Sequence, residues 1–310
     1  MGDLFGYRMR AGKDVMRDVI IKQDGRKFLK QNSALKGRYV IRDILGMGGF
    51  GIVYLAEDIE KNAKVAIKEY FPYGKSYRMD FSEKILFKGR AAYDMEYRYV
   101  LFENEADILE RVSGCFGAVS YQRFFYDNNT IYIVMEYIDG VTLQNWIDYF
   151  GKIDFIRCLE LLKPILHCMA TVHKMGIIHR DICPENIIVA PKTGCKIIDF
   201  GTAVDINRDN CREVLEATYR NGYSPLEQYE YGGGIDYSSD IYSVMATVYY
   251  CMTGYTPPDA LERAHNDIFL KGRVAGISEK FDKILRKGMA LKSNKRYKTM
   301  ELLISEMIKA

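Results

Sequence analysis

His179-Arg180-Asp181, then Pro184, Asn186 and Asp199-Phe200-Gly201, constrains the architecture of this 310-residue chain more than any other stretch. Asp181 can accept a proton, while Asn186 and Asp199 offer oxygen atoms to a hard cation. Their order and spacing are those that phosphoryl transfer from Mg-ATP requires. An isolated Asp-Phe-Gly is common by chance. Here it follows four further elements in a fixed order, which removes coincidence as an explanation.

The upstream elements supply the phosphate side of that chemistry. Gly46-Met47-Gly48-Gly49-Phe50-Gly51-Ile52-Val53 fits G-x-G-x-x-G-x-V between two strands, with Gly46, Gly48 and Gly51 letting backbone close over a triphosphate. A dinucleotide fingerprint would need a helix directly afterwards, whereas Ile52-Val53-Tyr54-Leu55 reads as strand. Seventeen residues beyond Gly51, Val65-Ala66-Ile67-Lys68 ends a strand with a lysine. An ammonium in a poorly solvated cleft needs a counter-charge. Glu105 is the expected partner, sharing a helix face with Phe102, Ala106 and Leu109, whereas Glu103 and Glu110 are expected in solvent.

Patterning extends this into an α+β reading. Alternating runs Tyr39 to Leu45, Gly51 to Glu57 and Lys64 to Glu69 predict three antiparallel strands. A helix over 99–112 and strands Val119 to Tyr126 and Thr130 to Glu136 follow, the last two joined by Asp127-Asn128-Asn129. No role is assigned to the Tyr- and Arg-rich segment from about Phe71 to Tyr99. After Asp139-Gly140 the chain becomes helical. Asp154 is expected to cap a helix carrying Pro164, Ser238 or Ser239 to cap a buried helix ending near Gly254, and Lys280 to Ala290 and Thr299 to Ile308 to complete the lobe. Val19 to Leu29 could form a hairpin around Asp24-Gly25.

Composition excludes several classes. The seven cysteines form no Cys-x-x-Cys pair and are odd in number, which argues against a zinc site and a disulfide framework and fits a reducing cytosol. No apolar run is long enough to span a membrane, the longest patch being Val244 to Met252. Residues 1–38 carry ten Lys/Arg against four Asp, a net +6 within a chain of +3. This basic extension reads as solvated, and no basic groove with interleaved aromatics suggests nucleic acid.

The chain resembles the protein kinase family over about Arg38 to Ile308. The wording Gly48-Gly-Phe-Gly-Ile-Val-Tyr54, Ala66-Ile-Lys-Glu-Tyr-Phe-Pro72 and Gly222-Tyr-Ser-Pro-Leu-Glu-Gln-Tyr229 is most similar to bacterial Ser/Thr kinases of eukaryotic type. The resemblance implies a two-lobed protein kinase-like fold: a basic extension over 1–36, a small antiparallel β-sheet lobe with one helix over 37–138, and a larger, mainly helical lobe over 139–310. It implies ATP and Mg2+, or Mn2+, as cofactors, with Lys68, Glu105, Asp181, Asn186 and Asp199 catalytic and Asn186 and Asp199 as metal ligands. Leu45, Val53, Ala66 and Ile188 would sandwich adenine, Met135 would be the gatekeeper, and Glu136 to Ile138 the hinge. Leu109, His179 and Phe200 would stack above Asp240, and Glu227 would pair with Arg296. Protein substrates, the chain itself among them, and a bacterial cytosolic location follow from the same likeness. Tethering to a membrane through a segment outside this chain is compatible with it.

One departure stands out. Most Ser/Thr kinases carry Lys two residues after the catalytic Asp, and this chain has Cys183. The arrangement with an Arg later in that loop, used by tyrosine kinases, is absent too. A catalytically weak or inactive ATP-binding scaffold is therefore the alternative function. Thr202, Thr218, Tyr219, Tyr223 and Ser224 are the hydroxyls available for activating phosphorylation. Thr218 is the first choice, with Arg180 expected to read the phosphate.

Overall fold

A computed structural model describes residues 28–89, 95–208, 218–230, 234–267, 269 and 277–310. The chain divides into two compact units, one running to Glu110 and including Ser120–Asp139, the other comprising Arg111–Val119 and Gly140–Ala310. Most of the hairpin expected over 19–29 lies outside the described residues.

The first unit is built on a six-stranded antiparallel sheet in the order β1-β2-β3-β4-β8-β7. Its strands are β1 (Ala34–Leu35), β2 (Tyr39–Met47), β3 (Gly51–Asp58), β4 (Ala63–Tyr70), β7 (Tyr121–Asp127) and β8 (Thr130–Glu136). Alternation gives the sheet two unlike faces. Ile52, Tyr54, Ala56, Val65 and Ile67 point to one side and are fully buried with Tyr39, Phe71 and Tyr132. Val53, Leu55, Ala66 and Lys68 point to the other and are only half-buried. The β7–β8 turn closes at Asp127↔Thr130, with Asn128 and Asn129 at φ of 49° and 57°, the left-handed backbone that a two-residue hairpin turn demands.

The segment left without a role holds a second hairpin, β5 (Ser76–Arg78) with β6 (Ile85–Phe87). Helix α1 spans Met95–Val112, starting before the expected 99. Phe102, Glu105, Ala106, Ile108 and Leu109 are buried along it. Glu103, expected in solvent, is half-buried and accepts a hydrogen bond from Tyr126.

The second unit is mainly helical. Its helices are α2 (Leu143–Phe150), α3 (Phe155–Lys174), α4 (Tyr237–Thr253), α5 (Ala260–His265), α6 (Glu279–Gly288) and α7 (Met300–Ile308). Asp154 caps α3, its carboxylate accepting Arg157 N–H at 2.9 Å. The cap of α4 is Asp236 rather than Ser238 or Ser239. The Asp236 carboxylate accepts Ser238 N–H at 2.7 Å, while Asp236 N–H donates to Ser239 Oγ, a reciprocal box that a serine two or three residues later cannot form alone. Helix α4 buries Ile241, Val244, Met245, Val248 and most of its remaining surface. Each such side chain contributes roughly 1.5–3 kcal/mol, which makes α4 the core of this unit. Among the described residues, no helix is long and apolar enough to cross a membrane.

Five short strands carry the functional loops. β9 (Val141–Thr142), β11 (Ile187–Ala190) and β12 (Gly194–Ile197) form one sheet, and β10 (Ile177–Ile178) pairs with β13 (Val204–Asp205). The register Ile187↔Ile197 sets Asn186 beside Ile198, whose N–H bonds to Asn186 C=O at 3.0 Å.

Candidate active site

In the first unit, Lys68 Nζ lies 2.5 Å from Glu105 Oε1, with both side chains largely shielded from water. The strand register sets Val53 opposite Lys68, and Leu55 opposite Ala66, which in turn faces Met135. Val53, Ala66 and Lys68 thus share the half-buried face with Leu45 nearby on β2, while Met135 is buried and Ile138 half-buried. Glu136 Oε1 accepts Ser120 N–H at 2.7 Å, fixing the segment after β8.

The glycines divide in two. A Cβ on Gly46, Gly48 or Gly49 would meet nothing within 4 Å, whereas one on Gly51 would lie 2.6 Å from Glu69 C=O. Gly51 is therefore required by sheet packing. The first three leave an open lip over which backbone can approach a ligand.

In the second unit, Asp240 organises the loop that carries Asp181. Its buried carboxylate accepts His179 N–H at 2.8 Å and Arg180 N–H at 2.9 Å, and His173 Nε2 lies 2.8 Å away. These bonds hold Arg180 at φ 71°, a backbone conformation that a non-glycine residue keeps only when its surroundings compel it. Burial works to raise the Asp240 pKa, but its hydrogen bond and electrostatic contact with His173, helped by His179, bring it below the usual carboxylate range. Burial lowers the pKa of His179, so its ring is neutral and its Nδ1 accepts Asp181 N–H at 3.2 Å. Phe200 packs on His179 with centroids 4.7 Å apart.

Asn186 Nδ2 donates to Asp181 C=O at 2.9 Å and to Asp181 Oδ2 at 2.8 Å. Both amide hydrogens are thereby used, and Oδ1 is the atom left to meet a cation. Asp199 Oδ1 accepts Gly201 N–H at 3.0 Å, which turns the Asp-Phe-Gly loop. An amide oxygen and one carboxylate suit a hard cation that keeps waters and takes its other ligands from phosphates.

Arg180 does not stand exposed beside Thr218. It is buried, and its Nη1 donates to Thr202 C=O at 3.2 Å. Ile188 of β11 is half-buried between buried neighbours. Glu227 and Arg296 form a two-pronged pair at 2.6 and 3.0 Å, closing the platform that follows Gly222.

Sequence reading missed Arg220. Its Nε and Nη2 bond to the two carboxylate oxygens of Asp181 at 2.8 and 3.0 Å, and its Nη1 pairs with Glu185. The hydrogen bonds it donates to Asp181 raise the already high pKa of this guanidinium. The signal in the sequence was a basic residue within the stretch leading to Gly222-Tyr223-Ser224-Pro225, thirty-seven residues from the Cys183 that stands where a lysine is usual.

A mainly antiparallel sheet unit with an internal Lys–Glu pair, and a helical unit whose loops present Asp181, Asn186 and Asp199, define a phosphotransferase-type fold. The protein kinase domain model matches residues 39–308, and the chain belongs to that family. A probable serine/threonine-protein kinase of Clostridium acetobutylicum is 32% identical over 228 residues, covering 74% of this chain and 32% of the relative. The serine/threonine-protein kinase PknB of Mycobacterium tuberculosis is 28% identical over 89% of this chain and 43% of its own length. PknA of a Nostoc species is 29% identical over 88% and 47%. This chain thus spans less than half the length of these curated relatives. Among solved structures, the apo form of PpkA-294 superposes with a TM-score of 0.73 at 28% identity, covering 91% of this chain and 99% of that one. The protein has the α+β protein kinase fold, and its family uses ATP and divalent metal ions.

Proposed function

We propose that this domain transfers the γ-phosphate of ATP to Ser or Thr hydroxyls of proteins, its own chain included. The observation that carries the reading is the presentation of Asp181. The Asp240 carboxylate fixes its loop from within, and Asn186 orients its Oδ2 at 2.8 Å. A carboxylate held this way can take the proton of an attacking hydroxyl.

On this reading Lys68, held by Glu105, engages the phosphates, while Leu45, Gly46, Gly48, Gly51, Val53, Ala66, Met135, Glu136, Ile138 and Ile188 receive the nucleotide. Asn186 Oδ1 and Asp199 would hold Mg2+, which when bound supplies charge neutralisation at the phosphates. Residues 37–138 and 139–310 would be the two lobes, preceded by a basic extension. A bacterial cytosol is the compartment assigned by this reading, and the bacterial origin of the relatives supports the bacterial part of it.

The competing reading, a silent nucleotide-binding scaffold, rests on Cys183. Burial pushes its thiol up to about 12, so it is neutral at physiological pH and brings no charge to the loop. Phosphate transfer from labelled ATP to the chain and to a generic protein separates the two. Label in wild type that disappears in Asp181→Asn and in Lys68→Met establishes the kinase. No label, with an ATP-dependent rise in melting temperature, establishes the scaffold.

A further inference from the structure

We propose that Arg220 is a catalytic residue that supplies, from the segment before Gly222, the cation missing at position 183 of the Asp181 loop. This rests on the phosphotransfer reading above.

The loop as folded has a charge problem. Asp181 and Glu185 bring two carboxylates, and the buried Cys183 between them brings no compensating charge. Asp181, Cys183 and Glu185 by themselves would offer an approaching phosphoryl group no positive charge. Arg220 is the cation that meets both carboxylates, gripping Asp181 through Nε and Nη2 and Glu185 through Nη1.

Its donors are not exhausted by these contacts. A guanidinium carries five N–H groups, and three are engaged here, leaving one on Nη1 and one on Nη2. The side chain is about one-third exposed, so those two can reach a group that arrives at Asp181. A planar fork suits phosphoryl oxygens as it suits a carboxylate.

The backbone under Arg220 is built to hold that position. Arg220 N–H donates to Ser224 Oγ at 2.9 Å, and Ser224 N–H returns to Arg220 C=O at 2.9 Å. The buried Gln228 amide donates to Arg180 C=O at 2.8 Å and to Thr218 C=O at 2.9 Å, tying this segment to the loop that bears Asp181. Gly222, at φ 81°, has no room for a Cβ, which would sit 2.6 Å from Pro257 C=O. An incidental surface ion pair would not need three separate anchors.

In the transfer step the hydroxyl oxygen bonds to the γ-phosphorus as the bond from that phosphorus to the bridging oxygen breaks. ADP leaves with the electron pair, and the hydroxyl proton passes to Asp181. Arg220 keeps the Asp181 carboxylate oriented and offers its two remaining N–H groups to the phosphoryl oxygens as they pass between donor and acceptor.

The test compares wild type with Arg220→Met, Arg220→Lys, Arg220→Ala plus millimolar guanidinium, and Arg220→Met combined with Cys183→Lys. The measurements are kcat, KM for ATP and the ATP-dependent rise in melting temperature. Arg220→Met should lose about 10²- to 10³-fold in kcat, the usual cost of one preorganised donor, with the nucleotide-dependent melting shift retained. Arg220→Lys or added guanidinium should restore at least about tenfold of it, and Cys183→Lys should do so where the double variant folds. Unchanged turnover in Arg220→Met overturns the proposal, as does increased turnover, which would make Arg220 a latch on Asp181. Loss of activity that neither lysine nor guanidinium restores assigns a structural role and also overturns it. Failure of wild type to exceed Asp181→Asn is a distinct result that removes the kinase reading and this proposal together.

Discussion

Lys68 and Glu69 are adjacent on β4 and lead opposite lives. The pleat sends Lys68 to the half-buried face, where it meets Glu105 of α1 and keeps 14% of its side-chain surface open. Glu69 goes to the fully buried face, where Arg78 Nη2 lies 2.5 Å away and the hydroxyls of Tyr54 and Tyr132 donate at 2.9 and 2.5 Å. Burial holds both tyrosines well above their usual pKa, so they remain donors. One pair is left accessible to a ligand. The other is sealed and can only support the sheet.

The sharpest way to break this contrast is to remove one partner from each pair. Arg78→Met strands a carboxylate with no water and should destabilise the first unit by about 3–5 kcal/mol. Hydrogen exchange of the β4 amides is the suitable measurement, because a chain of two units need not unfold in one step. Adding Glu69→Leu should recover part of that loss, and a double-mutant cycle showing no coupling would sink the assignment.

Lys68→Met should behave differently. We expect phosphate transfer to fall by about 10²- to 10³-fold, while exchange protection on β4 falls by no more than about 1–3 kcal/mol. A stability loss equal to that of Arg78→Met would erase the distinction between the faces.

The glycine loop gives a smaller test of the same sheet. Gly51→Ala, whose Cβ would sit 2.6 Å from Glu69 C=O, should cost about 1–3 kcal/mol. Gly48→Ala meets open space and should stay within about 0.5 kcal/mol. Matching melting curves for the two variants would contradict the packing role of Gly51.

The smallest effect belongs to Arg38 and Asp58 at the sheet margin, joined at 2.8 and 2.6 Å. The hydrogen bond from Arg38, more than the opposing effect of burial, holds the Asp58 carboxyl below its usual pKa. A depressed folded pKa contributes stability above the ordinary Asp value and loses it as pH falls through the depressed one. Arg38→Met should therefore shift the onset of acid unfolding to higher pH, seen by circular dichroism titrated downward from about pH 5. An unchanged acid limb would show that the pair contributes nothing.

The legible residues were those whose chemistry depends on local spacing. Asp181, Asn186 and Asp199 sit on loops joining two small sheets within about twenty residues of chain, and Gly46 to Gly51 on one hairpin, so short sequence intervals predict their neighbours. Glu105 was found because a helix period and the need of Lys68 for a counter-charge both pointed to it. Arg78 was missed because nothing in Tyr77-Arg78-Met79 marks a buried arginine, and its partner Glu69 and the Tyr54 and Tyr132 hydroxyls that also bond to that carboxylate come from three other strands. The cap of α4 was misplaced because several closely spaced polar residues, Asp236, Ser238 and Ser239, satisfy the same local rule, and only backbone geometry chooses among them.

Glycine spacing, alternating apolar strands and the order of the polar loop residues were enough to specify an α+β kinase fold. Each acts through bonds and sterics a few residues wide. Where charge is balanced was decided by the tertiary structure, which sealed Arg78 against Glu69 and brought Arg220 onto Asp181 across thirty-nine residues. Electrostatic energy depends on distance and on exclusion of water, and both come into being only when distant segments pack.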